Sequence, residues 1–140
     1  QLFAQLPRLS GERPRNAPSL KEPFLVFDRE HLRTVCDGDA AFEREVVGSF
    51  LDSAGGLMAR MATALEAADV PGIRAAAHAL KGSSRSIGAP ALGDACADLE
   101  ASVVGGDLSS AARTLDRVQR QYQLLVAELV AHLGSTDAAA

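Results

Sequence analysis

Of the three histidines in this 140-residue chain, one stands among side chains that could do chemistry with it. His78 has Arg74 four residues before it, Lys81 three after, Gly82 four after and Arg85 seven after. On a helix those spacings gather the five on one side. At 100° per residue, Ile73, Ala77, Leu80, Ser84 and Ile87 fall within about 40° of a single direction, while His78 lies about 140° away. The apolar set must face a core, so the imidazole faces water. Neutral imidazole offers a lone pair near neutral pH, and a neighbouring ammonium can offset the charge of an acquired phosphoryl group. Nucleophilic attack on phosphorus is the chemistry that suits His78, with Lys81 as its electrostatic support.

The charge pattern sharpens this. From Phe24 onward there are 10 basic and 16 acidic residues, yet residues 71–88 hold three basic residues and no acidic one. A positive stretch in an acidic domain attracts anions, although a solvated face with a chance run of charge is the plain alternative. Gly82 costs ~1 kcal/mol relative to Ala inside a helix, so its place on the exposed side suggests clearance for a macromolecule approaching the ring. Ala75 and Ala79 level the surface beside it. Arg74, Ala75, Ala79 and Arg85 are the expected partner-binding face, completed by apolar residues from the preceding helix. The reading rests on an unoriented imidazole that no carboxylate grips.

The elements that must position these residues are helices. Apolar residues make up 47% of the chain and aromatics only 4%, with no Trp, so Ala, Leu and Val dominate and the fold class is all-α. Residues 1–23 hold four of the six prolines (Pro7, Pro14, Pro18, Pro23) and read as a flexible linker or arm. A start at Gln1 suggests a piece of a longer protein. Phe27-Asp28 followed by Leu32 reads as a stapled N-cap opening a short helix over 29–36. Asp39 caps a long second helix with Phe42, Val46, Phe50, Leu57, Met61 and Leu65 on its stripe, and Gly55-Gly56 predicts a kink or close crossing within it. Asp69-Val70-Pro71-Gly72 ends that helix and opens a third, which stops at Gly88. A fourth starts at Ala89-Pro90, with Leu92, Ala95, Cys96, Leu99 and Val103 on its stripe, and ends at Gly105-Gly106. Asp107 or Ser109 caps a fifth, carrying Leu108, Ala112, Leu115, Tyr122, Val126, Leu129 and Leu133 up to Gly134, with residues 135–140 a frayed tail. Short loops between long amphipathic helices predict an antiparallel up-down-up-down four-helix bundle over residues 24–134, with the short helix added at its N-terminus.

A net charge of −4 argues against a nucleic-acid binder. No apolar run reaches the ~18 residues of a membrane span and no signal segment opens the chain, so a cytoplasmic location is expected. Cys36 and Cys96 lack zinc-site spacing and read as reduced, buried small hydrophobes. His31 and His132 lie near helix ends without companion ligands and receive no role. Ser83 and Ser84 read as structural, with the Ser84 hydroxyl on the core face able to bond a preceding carbonyl.

The run Ala76-Ala77-His78-Ala79-Leu80-Lys81-Gly82-Ser83-Ser84, followed by Ile87-Gly88-Ala89, Leu92, Cys96, Leu99 and Glu100, resembles the signature of histidine-containing phosphotransfer (Hpt) domains. The signature covers about 25 residues, and the helical layout extends the likeness over roughly Phe24 to Leu133. The resemblance implies a phosphoryl group on His78, stabilised by Lys81, with Gly82 leaving room for the partner. It also implies the bundle fold and partners of one class, receiver domains carrying a phosphorylatable Asp and Mg²⁺. No cofactor or metal of this chain's own is expected, and the domain is expected to be a monomer that relays phosphate without autonomous kinase activity, free-standing or at the tail of a hybrid kinase.

Competing readings are a dimerising kinase segment, a metal or cofactor bundle, a phosphoacceptor domain of a chemotaxis-type kinase, and a receiver-binding scaffold that carries no phosphate. The first would place an acidic residue after the histidine, where Ala79 stands, and needs a Gly-rich phosphate cradle that is missing from the sequence. The second needs inward-facing Glu-x-x-His pairs, which no histidine here supplies.

Overall fold

The computed structural model describes residues 25–139, with side chains from 25 to 134. The proline-containing arm lies outside the described residues. Five helices follow in order, α1 (Arg29–Val35), α2 (Ala40–Glu66), α3 (Val70–Ile87), α4 (Pro90–Val104) and α5 (Leu108–Ala139), with no strand among the described residues.

Each start is set by a carboxylate where the chain supplies one. Asp28, Asp39, Asp69 and Asp107 accept hydrogen bonds from the backbone N–H groups of His31, Phe42, Gly72 and Ser110, satisfying donors that the first turn of a helix leaves open. Pro71 and Pro90 sit in the first turns of α3 and α4, where their missing N–H costs nothing. Gly88 closes α3 at φ +90°, with its N–H on the carbonyl of Arg85. A side chain there would press on the backbone oxygen of Asp28 and on His31. That close approach pins the entry segment: Asp28 donates to the Gly88 carbonyl, Ala91 donates to the Leu25 carbonyl, and the His31 ring donates through Nε2 to the Ser86 carbonyl at 2.9 Å.

The four long helices share one core. α2 packs on α3, α3 on α4, α4 on α5, and α5 returns to α2. The stripes of α3 and α4 are buried as the periodicity predicts, Ile73, Ala77, Leu80, Ser84 and Ile87 against Leu92, Ala95, Cys96, Leu99 and Val103. Truncating a fully buried leucine such as Leu80 or Leu99 to Ala would cost ~2–5 kcal/mol.

Two stripes differ from expectation. On α2 the buried set is Glu43, Val47, Phe50, Ala54, Leu57, Met61 and Ala64, and Phe42 is exposed. On α5 the buried set runs through Ala111, Leu115, Val118, Leu125, Leu129 and His132, with Ala112 exposed and Val126 at the margin. The burial of Glu43 and of His132 has one cause, because Glu43 Oε1 meets His132 Nε2 at 2.7 Å and each polar partner offsets the cost of burying the other. α5 also continues through Gly134 to Ala139 instead of stopping at Gly134.

Gly55 and Gly56 produce no close crossing. α2 is unbroken there, both glycines are exposed, and an added Cβ at either meets nothing within 4 Å. No helix among the described residues is long and apolar enough to cross a membrane.

Candidate functional site

His78 lies in the middle of α3 with its side chain 69% exposed. Burial of Ile73, Ala77, Leu80, Ser84 and Ile87 against the other helices turns the opposite side of α3, and with it the imidazole, to solvent.

The ring has a definite orientation. Its Nδ1–H donates to Glu100 Oε2 of α4 at 3.0 Å, and the other carboxylate oxygen, Oε1, receives Lys81 Nζ at 2.8 Å. One carboxylate thus couples the two candidate residues of α3 from the neighbouring helix. This corrects the expectation of an ungripped, unoriented imidazole. The grip is on one nitrogen only: with the proton held on Nδ1, the neutral ring carries its lone pair on Nε2, which is the property a nucleophile needs. The Lys81 hydrogen bond, helped by the one from His78 and opposed by partial burial, holds the Glu100 carboxyl below the usual carboxylate range, so it is an anion at neutral pH.

The positive patch is also smaller than a count along α3 suggests. Arg85 turns to α4, where Nη2 lies 3.5 Å from Asp94 Oδ1 and the side-chain stem covers Gly93. Lys81 is paired with Glu100. Arg74 is exposed and lines a hollow of about 480 Å³ beside the ring, together with Val70, Pro71, Ala75, His78 and Glu100. Of the expected partner-binding residues, Arg74 and Ala75 therefore line this hollow, and Ala79 does not. Arg85 does not line it.

Ala75 and Ala79 line an open groove of about 540 Å³ between α3 and α2, whose other wall includes Leu57, Arg60, Thr63 and Ala67. Gly82 is exposed, and a Cβ there would meet nothing within the chain, so the space it leaves opens outward.

The remaining candidates are structural. Ser83 Oγ donates back to the Ala79 carbonyl at 3.1 Å, whereas Ser84 Oγ is buried with no hydrogen-bond partner among the described residues. The back-bonding expected of Ser84 is made by its neighbour. Cys36 and Cys96 are buried free thiols, and burial pushes Cys96 up to about 12, leaving it a neutral thiol. Among the described residues no cluster of three or more His, Cys, Asp or Glu side chains could hold a metal ion.

Glu100 stands in the quoted signature, but reading along α3 gives it no role, and the structure brings it to His78 and Lys81. The signal was its position: it follows buried Leu99 and lies about 80° from the centre of the α4 stripe, a border direction that faces a neighbouring helix.

Comparison with known proteins identifies the family. The family model of the Hpt domain matches residues 45–132. The histidine-containing phosphotransfer protein MtHPt2 from Medicago truncatula superposes with a TM-score of 0.71 at 25% identity, covering 89% of this chain and 88% of that one. ZmHP2, a histidine-containing phosphotransfer protein from maize, has a TM-score of 0.68 at 23% identity, covering 87% of this chain and 96% of that one, and supports the fold. No curated protein matches the sequence significantly. With the family model spanning well over half of its length, the chain belongs to the Hpt domain family.

Proposed function

We propose that His78 is the phosphoacceptor through which this domain performs histidine phosphotransfer in phosphorelay signalling, taking the group from a receiver-domain aspartate and passing it to a second receiver. The observation that carries this reading is the His78 ring, exposed and held through Nδ1 by Glu100, so that Nε2 is the open nucleophilic atom.

The reaction then follows from the groups present. The Nε2 lone pair forms the N–P bond as the P–O bond to the aspartate breaks, and the aspartate carboxylate leaves. Nδ1 keeps its proton, and Glu100 offsets the positive charge that develops on the ring. An ammonium has three donors, so Lys81 can turn one to a phosphoryl oxygen while remaining at Glu100. Gly82 gives the receiver clearance, and the α2–α3 groove with Ala75 and Ala79 gives it apolar contact.

Antiparallel packing of α2 to α5 as an up-down-up-down bundle is the scaffold in this reading. It is supported by the ring of contacts from α2 through α5 and back. The receiver supplies Mg²⁺ and most of the charge stabilisation. The domain works as a cytoplasmic monomer, and its complexes are small and transient.

Incubation with a phosphorylated receiver tests the reading. Label should move to the wild-type domain, survive alkali but not acid, and be absent from His78→Gln. Label on that variant, or acid-stable label on the wild type, contradicts it. Failure of the wild type to take label while still binding the receiver favours the scaffold that carries no phosphate.

A further inference from the structure

α3 carries three cations, and α4 engages two of them, Glu100 holding Lys81 and Asp94 holding Arg85. Arg74 is exposed and has no carboxylate partner among the described residues. Within the site the charges of Lys81 and Glu100 cancel, so the uncompensated positive charge closest along the helix to His78 is that of Arg74.

Its place is also suited to the reacting group. Arg74 lies one turn before His78 on the same exposed side of α3. The hollow beside the ring is walled by Arg74 and Glu100 and not by Lys81. A guanidinium presents parallel donors that match two oxygens of a phosphoryl group, whereas an ammonium acts as a point charge.

We infer that Arg74 is a second phosphoryl-contact residue, taking oxygens of the group as it moves onto His78 and holding the phosphohistidine afterwards. The inference rests on His78 as phosphoacceptor. Bond changes remain those of the transfer itself: N–P forms, the donor's bond to phosphorus breaks, and Arg74 contributes hydrogen bonds and charge with no change in its own protonation.

Potassium phosphoramidate is a probe that needs no protein partner, since its P–N bond breaks with loss of ammonia as the imidazole is phosphorylated. Labelling and dephosphorylation rates would be compared for wild type, Arg74→Gln, Arg74→Lys and His78→Gln, with helical circular dichroism and the unfolding midpoint as controls. Arg74→Gln should label about tenfold more slowly, lose most of the wild-type salt dependence, and keep its fold. Arg74→Lys should recover part of the rate. Wild-type labelling by Arg74→Gln overturns the role of Arg74 and leaves the phosphoacceptor standing. Label on His78→Gln removes the phosphoacceptor and this inference together.

Discussion

Among the described residues a histidine is paired with a glutamate twice, and the two pairs do opposite things. At the surface, His78 donates to Glu100 at 3.0 Å with its side chain 69% exposed. In the interior, His132 meets Glu43 at 2.7 Å, and both side chains are 6% exposed. The inner ring also packs edge-on against Phe27, with centroids 5.5 Å apart, so it joins the entry segment and the first turn of α2 to α5. What separates the pairs is solvent. An exposed pair contributes ~0–1 kcal/mol to stability because water and salt screen it. Loss of one partner from a buried pair strands the other and costs ~3–5 kcal/mol. The same two residue types therefore give an oriented, solvent-exposed imidazole in one place and a fixed joint in the other.

The contrast breaks most sharply on substitution of the two histidines. His78→Gln should abolish phosphorylation and leave the unfolding free energy within about 0.5 kcal/mol of wild type. His132→Ala should do the reverse, losing ~3–5 kcal/mol in denaturant unfolding while its folded fraction still accepts phosphate. A full loss of labelling in folded His132→Ala would show that the two pairs are not separate. The double variant Glu43→Leu with His132→Leu should regain much of that stability, because neither buried polar group is left without the other.

Glu100 sharpens the surface side of the comparison. Glu100→Ala frees the His78 tautomer and should slow phosphorylation about 10- to 100-fold, whereas Glu100→Gln keeps an acceptor for Nδ1–H and should slow it less. Acid titration reads the same residue through stability. Because the folded pKa of Glu100 is lowered, its contribution is present above the ordinary value of 4.5 and is lost as pH falls through the folded value. Glu100→Gln should flatten that part of the stability curve.

The smallest effect belongs to Gly82. Gly82→Ala should stabilise the fold by up to ~1 kcal/mol, since a Cβ meets nothing in the chain, and should slow transfer from a receiver but not from phosphoramidate.

Features set by local chemistry were legible in the sequence. The caps Asp28, Asp39 and Asp107, the glycine stop at Gly88 and the buried stripes of α3 and α4 depend on neighbours within a few positions, and the outward direction of His78 follows from them. What escaped reading depends on partners far along the chain. Glu100 is 22 residues from His78, and Glu43 is 89 from His132. An apolar pattern assigns Phe42 to the core and Glu43 to water, and only a partner from α5 reverses the two. Counting charge along α3 alone likewise overstates the patch, because α4 returns Glu100 and Asp94 to it. The Gly55-Gly56 pair on the open side of α2 has no account in the fold.

The most direct test of the account is nuclear magnetic resonance of the phosphorylated domain labelled with ¹⁵N in its imidazoles. The account predicts a single phosphorylated histidine, His78, with phosphorus bonded to Nε2 and the proton retained on Nδ1. Phosphorus on Nδ1, or on another histidine, would contradict it.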